Sequence, residues 1–399
     1  MQKTSLTPRI ATFTFIRAIM NTSHRMVYPF LSVFARALGV DLVQISHLLS
    51  ARALVAAFGP LAASLTDRLG RRVGILTGVG IFSLGAALVI IWPTFPSFAC
   101  AVILTAFGKY VFDISFISWV GDRVPYERRG RVLAVTEVSW SLSFILGIPL
   151  VGFLIARYGW NSPFLLFTLL GVLAFIIILV LIPGDRIHPA PGTQESAPQS
   201  PFALLRSPAV PLVLASLSLE LFMSAANETI NLLFGVWLED SFGLQIAALG
   251  AASAVIGFSE LGGEGLVAFF VDRLGKPRAV RLGLMVNSLS ALALPFLGRT
   301  EVGALVGLFL FYLSFEFTII SYLPLMTELL PAARASVLAL NVIGEAFGRA
   351  LGAFSGSRLY SLGFWAVVAG AVVFNLLALL ALFLIKKFHA DPRSLEAVQ

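Results

Sequence analysis

Charged and hydrogen-bonding side chains are scarce in this 399-residue chain, and where they interrupt apolar stretches their spacing is helical. Arg17, Asn21, His24 and Tyr28 follow i, i+4, i+7 and i+11, with Arg25 beside them, which draws one polar line along a helix. Glu220, Ser224, Asn227 and Asn231 repeat that spacing, with Glu228 beside them. At a shift of 203 residues the sets superimpose, Arg17 on Glu220, His24 on Asn227 and Arg25 on Glu228, so one line is basic and the other acidic. Lys109 and Asp113 lie four residues apart on a third helical face, and Glu316 falls at the position equivalent to Asp113. Such a set can take up and release protons on carboxylates, form ion pairs and recognise a charged solute, and a histidine adds a group that ordinarily titrates near neutral pH. The competing reading is that the charges only pair and hold helices together. Arg17 with Glu220 reads that way, whereas Arg25 with Glu228 fits either, because a lock that opens is also a gate.

The elements that must carry these residues are membrane spans. Hydrophobic residues make up 58% of the chain and charged residues 12%, about half of the roughly 25% usual in soluble domains. Val73 to Gly108, Tyr158 to Gly184 and Leu359 to Ile385 contain no Asp, Glu, Lys or Arg, and each exceeds the roughly 20 apolar residues a span requires. The runs are continuous rather than alternating, which excludes a β-barrel. Twelve spans would use about 240 positions and leave room for short loops and one linker. With the N-terminus inside, Arg68, Arg71, Arg72, Arg123, Arg128, Arg129, Arg131, Arg273, Lys276, Arg278 and Arg281 all fall in loops on one side. That asymmetry predicts a multi-pass protein of the cell membrane with both termini cytoplasmic. It also accounts for the net charge of +7 without nucleic acid, since the cations sit at helix ends. Arg17, His24 and Arg25 interrupt the first apolar stretch, which reads as a retained helix rather than a cleaved leader. The single Cys100 reads as a packing residue. A phosphate-binding loop, a paired-histidine metal motif and a nucleophile elbow are all missing, so neither ATP drive nor an enzyme is expected, and no cofactor is implied.

Prolines 189, 191, 198, 201 and 208 mark a linker over 185–208 between halves 1–184 and 209–399. The halves repeat in parallel. Asp67-Arg68-Leu69-Gly70 recurs as Asp272-Arg273-Leu274-Gly275, and Val132-Leu133-Ala134 as Val337-Leu338-Ala339, both 205 residues on. Six spans per half give both halves one orientation, as expected for an axis along the membrane normal. Gly344, Gly348, Gly352 and Gly356 form a four-residue ladder, with Ser139, Ser143 and Gly147 at equivalent places in the first half, and small residues in this register let helices pack closely. Glu345 and Arg349 flank the ladder as an i, i+4 ion pair.

With these features the chain resembles the major facilitator superfamily from the first span to the last. The most specific signature is the loop after the second span, Ala63-Ser64-Leu65-Thr66-Asp67-Arg68-Leu69-Gly70-Arg71-Arg72, with a degenerate copy from Ala268 to Arg278. Ala63 and Ala268 stand where the family commonly has glycine, and of its span-five antiporter pattern only Gly147, Pro149 and Gly152 survive. The resemblance implies an all-α membrane protein of 12 transmembrane helices in two pseudo-symmetric six-helix bundles. It implies gating roles for Asp67, Arg68, Gly70 and Arg71 and for Asp272, Arg273 and Gly275, and a central cavity lined by spans one, four, seven and ten. On that reading Arg25, His24, Lys109, Asp113, Glu220, Asn227, Glu228 and Glu316 would face solute or protons. The function so implied is proton-coupled secondary transport of a small organic solute by a monomer, export being preferred; uptake of an anionic metabolite and a non-transporting receptor are the alternatives.

Overall fold

The structure, a computed structural model, describes residues 6–58, 70–182, 201–330 and 333–389, and every regular element among them is a helix. The chain divides into two compact units, Met1–Pro189 with Glu239–Gly257, and Ala190–Leu238 with Phe258–Gln399. Among the described residues ten helices are long and apolar enough to cross a membrane, or up to eleven if a bent pair counts as one.

The first span is in two pieces, α1 (Leu6–Arg25) and α2 (Leu31–Leu38), where the spacing from Arg17 to Tyr28 predicts one continuous helix. Pro29 is the cause: it offers no backbone N–H, and its ring crowds the carbonyl four residues earlier. The Tyr28 amide turns back to the Arg25 carbonyl at 3.2 Å, so the His24 carbonyl loses its usual helical donor. Gly39 at φ 65° then reverses the chain, and Asp41 with Gln44 forms a capping box that starts α3 (Leu42–Leu54). The axes of Leu31–Leu38 and Leu42–Phe58 differ by 115°, so they belong to successive spans. The first unit continues through α4 (Arg71–Ile91), α5 (Phe95–Arg123), α6 (Tyr126–Leu142), a π-helical turn at Ser143–Gly147, α7 (Ile148–Tyr158) and α8 (Ser162–Leu181).

After a 3-10 turn at Pro201–Arg206 come α9 (Val210–Asn231), α10 (Phe234–Phe242), α11 (Ile246–Ala252), α12 (Ala254–Leu274), α13 (Lys276–Leu297), α14 (Glu301–Leu329), α15 (Arg334–Tyr360) and α16 (Phe364–His389). The interruption between α9 and α10 falls near the repeat-equivalent place of the break in the first span, here without proline. All six described residues with positive φ are glycine, and they form three repeat pairs: Gly39 with Gly243, Gly70 with Gly275, and Gly159 with Gly363. A left-handed reversal tolerates no Cβ, so the backbone itself displays the duplication. Cys100 is exposed, which corrects its expected packing role.

Two glycines of the ladder are points of close helix approach. A Cβ on Gly348 would lie 2.2 Å from the Leu221 carbonyl oxygen, and one on Gly352 would lie 2.6 Å from that of Ala225, so α15 packs directly against the backbone of α9. In the first unit Gly147 admits Thr22, whose hydroxyl would be 2.1 Å from an added Cβ, and Pro149 stands in the first turn of α7. Gly348→Val should therefore lower stability by about 1–3 kcal/mol through overpacking. Gly265, with nothing within 4 Å of an added Cβ, should accept alanine at no cost, and thermal unfolding of the two purified variants checks the difference.

Candidate functional site

The first unit gathers its buried charges where α1, α5 and α6 meet. Arg17 is 5% exposed; its Nε donates to Asp113 at 3.0 Å, and its Nη1 donates to Glu137 at 3.0 Å and to the Thr136 hydroxyl at 3.2 Å. Lys109, also buried, donates to the other Asp113 oxygen at 2.6 Å. Asp113 is thus held by two cations, and Arg17 takes its acids from its own unit, where the sequence suggested Glu220. Glu137, which belongs to neither polar line, is a partner of Arg17 although its side chain is 46% exposed. Asn21 donates to Ser139 at 3.1 Å.

One turn further along α1 the partners become aromatic. The Arg25 guanidinium carbon lies 4.5 Å from the centroids of both Trp140 and Phe144, and Arg25 Nη1 donates to the Trp140 carbonyl at 3.2 Å. Lys109 Nζ also sits 4.5 Å from the Trp140 ring, and His24 meets Tyr110 and Trp140 edge-on. Cation–π contacts of this kind stabilise by about 0.5–2 kcal/mol each, more when desolvated. These aromatics carry no signal in the charge pattern; only the helix packing brings them to the basic line.

The second unit uses the equivalent seat with different chemistry. Shifted by 205 residues, Trp140 and Phe144 become Glu345 and Arg349. Arg349 donates to Glu345 at 2.9 Å, the local pair the spacing predicted, and its Nη1 also lies 3.5 Å from Glu228. Glu228 further accepts from Asn231 at 3.4 Å, and Asn231 accepts from the Tyr312 hydroxyl at 3.0 Å. Glu220, buried, accepts from Ser224 at 3.0 Å beside Tyr322. Its Oε2, the Asn227 Oδ1 and both amide polar atoms of Asn341 are buried without a hydrogen-bond partner among the described residues. Asn341 escaped the sequence reading although it stands one turn before Glu345. Glu316 backs onto α12, its Cβ 2.6 Å from where a Cβ on Gly263 would stand, so it and Asp113 have different neighbours despite equivalent positions.

Of the loop signature, Asp67 and Arg68 lie outside the described residues. Gly70 and Gly275 take positive φ and cap the helices that follow. Arg71 pairs with Asp122 at 3.0 Å, and Lys276, the repeat equivalent of Arg71, pairs with Glu328, acids that the motif alone did not indicate. Asp272 and Arg273 are exposed. A further seam lies in the first unit, where Glu239 is held by Ser32 and by Arg36 at 2.7 Å. Beside it Gly152 of α7 meets Gly250 of α11, an added Cβ on Gly152 falling 3.1 Å from the Gly250 Cα.

The sequence profile of the Major Facilitator Superfamily matches residues 13–353. The chain belongs to that superfamily. It is accordingly a multi-pass integral membrane protein of the secondary-transporter class, with the 12-helix fold. Among its relatives is the uncharacterised MFS-type transporter YbcL of Bacillus subtilis, 24% identical over 310 residues that cover 77% of each chain. The quinolone resistance protein NorA of Staphylococcus aureus is 24% identical over 212 residues, covering 53% of this chain and 51% of its own. Among solved structures, a bacterial homologue of the human lysosomal transporter Spinster, in an inward-facing and unoccupied conformation, superimposes with a TM-score of 0.79 at 14% identity. That match covers 98% of this chain and 100% of the other.

Removing one member of a buried ion network strands the others, at about 3–5 kcal/mol. Arg17→Gln should therefore destabilise strongly, and adding Asp113→Asn should restore part of the loss, read as apparent Tm of the two purified variants. At the seam, Gly250→Leu should cost more than Glu239→Gln, because Arg36 is 60% exposed and an exposed pair contributes only about 0–1 kcal/mol.

Proposed function

We propose that the protein exports an amphipathic organic solute by alternating access, in exchange for protons entering the cell. The observation that carries this reading is the acid cluster on α9 and α15, where Glu228 and Glu345 both reach the Arg349 guanidinium and Glu220 lies close enough to feel the Glu345 charge. Ionising neighbouring carboxylates together is costly in a low-dielectric setting, and a proton on one of them relieves the repulsion. Arg349 already reaches two of the three, so protonating either Glu228 or Glu345 would leave it to the other. The polar atoms of Asn227, Asn341 and Glu220 that lack internal partners support a water- or solute-facing surface here, since buried polar groups otherwise find partners. Asp113, clasped by Lys109 and Arg17, is assigned to holding α1 against α5 rather than to carrying protons.

In the first unit, Tyr110, Trp140 and Phe144 around Arg25 and Lys109 offer an aromatic and basic surface suited to an amphipathic molecule. The relative named for quinolone resistance supports a drug-like solute. The topology that fits the loop charges keeps both termini in the cytoplasm and the protein in the cell membrane, working as a monomer.

Flux of a fluorescent fluoroquinolone in proteoliposomes under an imposed pH difference tests the proposal. Glu228→Gln, Glu220→Gln or Glu345→Gln should cut gradient-driven flux about tenfold or more, the equivalent of roughly 1.4 kcal/mol, while solute exchange without a gradient persists. Full proton-driven flux in all three single variants would overturn the coupling. An anion importer would instead lose binding on Arg25→Gln, and a receptor would bind without flux.

A further inference from the structure

Arg52 plays no part in the transport chemistry above. It lies in α3, is 3% exposed, and has no carboxylate partner among the described residues. Its Nη1 donates to the His24 carbonyl at 2.6 Å, its Nη2 donates to the Tyr28 hydroxyl at 2.6 Å, and its guanidinium carbon stands 5.1 Å from the Tyr28 ring. The His24 carbonyl is the one left without its helical donor when the Tyr28 amide turns to Arg25 at the Pro29 break, so Arg52 caps the broken end of α1. A helix C-terminus offers about half an elementary negative charge, which leaves about half of the guanidinium charge unbalanced.

The remaining donor points to how that balance is completed. Arg52 Nε is buried without a hydrogen-bond partner. Ser23, also more than nine-tenths buried, makes no side-chain hydrogen bond among the described residues. Both residues line one small cavity, together with His24, Thr105, Val102 and Phe164. Thr105 donates its hydroxyl proton to the Ala101 carbonyl at 2.7 Å, so Arg52 Nε and the Ser23 hydroxyl are left as donors for an occupant, with the His24 ring a third polar group of the lining. The lining contains no carboxylate, and the space suits a single atom-sized occupant rather than an organic anion.

The geometry points to a site for one small monovalent anion of the halide class behind the break in the first span, bound by Arg52 Nε and the Ser23 hydroxyl. The anion neutralises Arg52 and thereby holds α1 and α3 together at the interruption. This inference is independent of the proton-coupling proposal, and its readout is stability rather than flux.

Thermal unfolding of the purified full-length protein in sodium chloride, sodium bromide and sodium gluconate at matched ionic strength tests it. Apparent Tm should rise saturably with chloride and bromide above the gluconate baseline, following the logarithmic dependence of a ligand that binds only the folded state. Ser23→Ala should raise the half-saturating concentration severalfold, and Arg52→Gln should abolish the halide dependence. Equal Tm in all three salts, the result expected if the cavity holds only water, would overturn the assignment, as would a halide dependence unchanged in Arg52→Gln. Should Arg52→Gln fail to fold for want of its cap, an unaltered half-saturation in Ser23→Ala overturns it alone.

Discussion

A charged side chain inside a membrane-spanning helix costs several kcal/mol unless a partner or a cavity receives it, and the contacts of α1 with α6 and of α9 with α15 are organised around that cost. Arg17 illustrates the solution in the first unit: two carboxylates and a hydroxyl from two other helices satisfy one guanidinium. Arg349 illustrates it in the second, with carboxylates from its own helix and from α9. Small residues make these networks possible, because the Gly348 and Gly352 contacts bring α15 onto the α9 backbone at the depth where Glu228 must find its cation.

Duplication fixed the geometry of this seat and left its chemistry free to diverge. Arg25 rests on Trp140 and Phe144, whereas the equivalent Glu228 reaches Arg349, which stands where Phe144 does in the first repeat. The paired glycine reversals and the paired salt bridges beside them, Arg71 with Asp122 and Lys276 with Glu328, show the same scaffold preserved where the backbone requires it. Within the spans, one copy became a basic and aromatic surface and the other an acidic one. The units do not follow the sequence halves strictly, since 239–257 from the second half is built into the first unit through Glu239 and Gly250.

Much of this was legible beforehand, because hydropathy and helical periodicity are local. The spans, the repeat, the loop signature, the glycine ladder and the Glu345 to Arg349 pair follow from residues close in sequence. The pairing of Arg17 with Glu137 was not legible: the two are 120 residues apart, and Glu137 belongs to neither polar line. Arg52 stands alone in an apolar run and belongs to no stripe, so only its approach to the His24 carbonyl gives it a role.

The sequence by itself determined that this is a duplicated, multi-helix membrane protein of the major facilitator superfamily with one basic and one acidic polar line, since apolar length, charge and period are properties of the chain. Tertiary structure alone decided which charge meets which. Pairing depends on distances between helices far apart in sequence, and on a break at Pro29 whose orphaned carbonyl chooses its own donor.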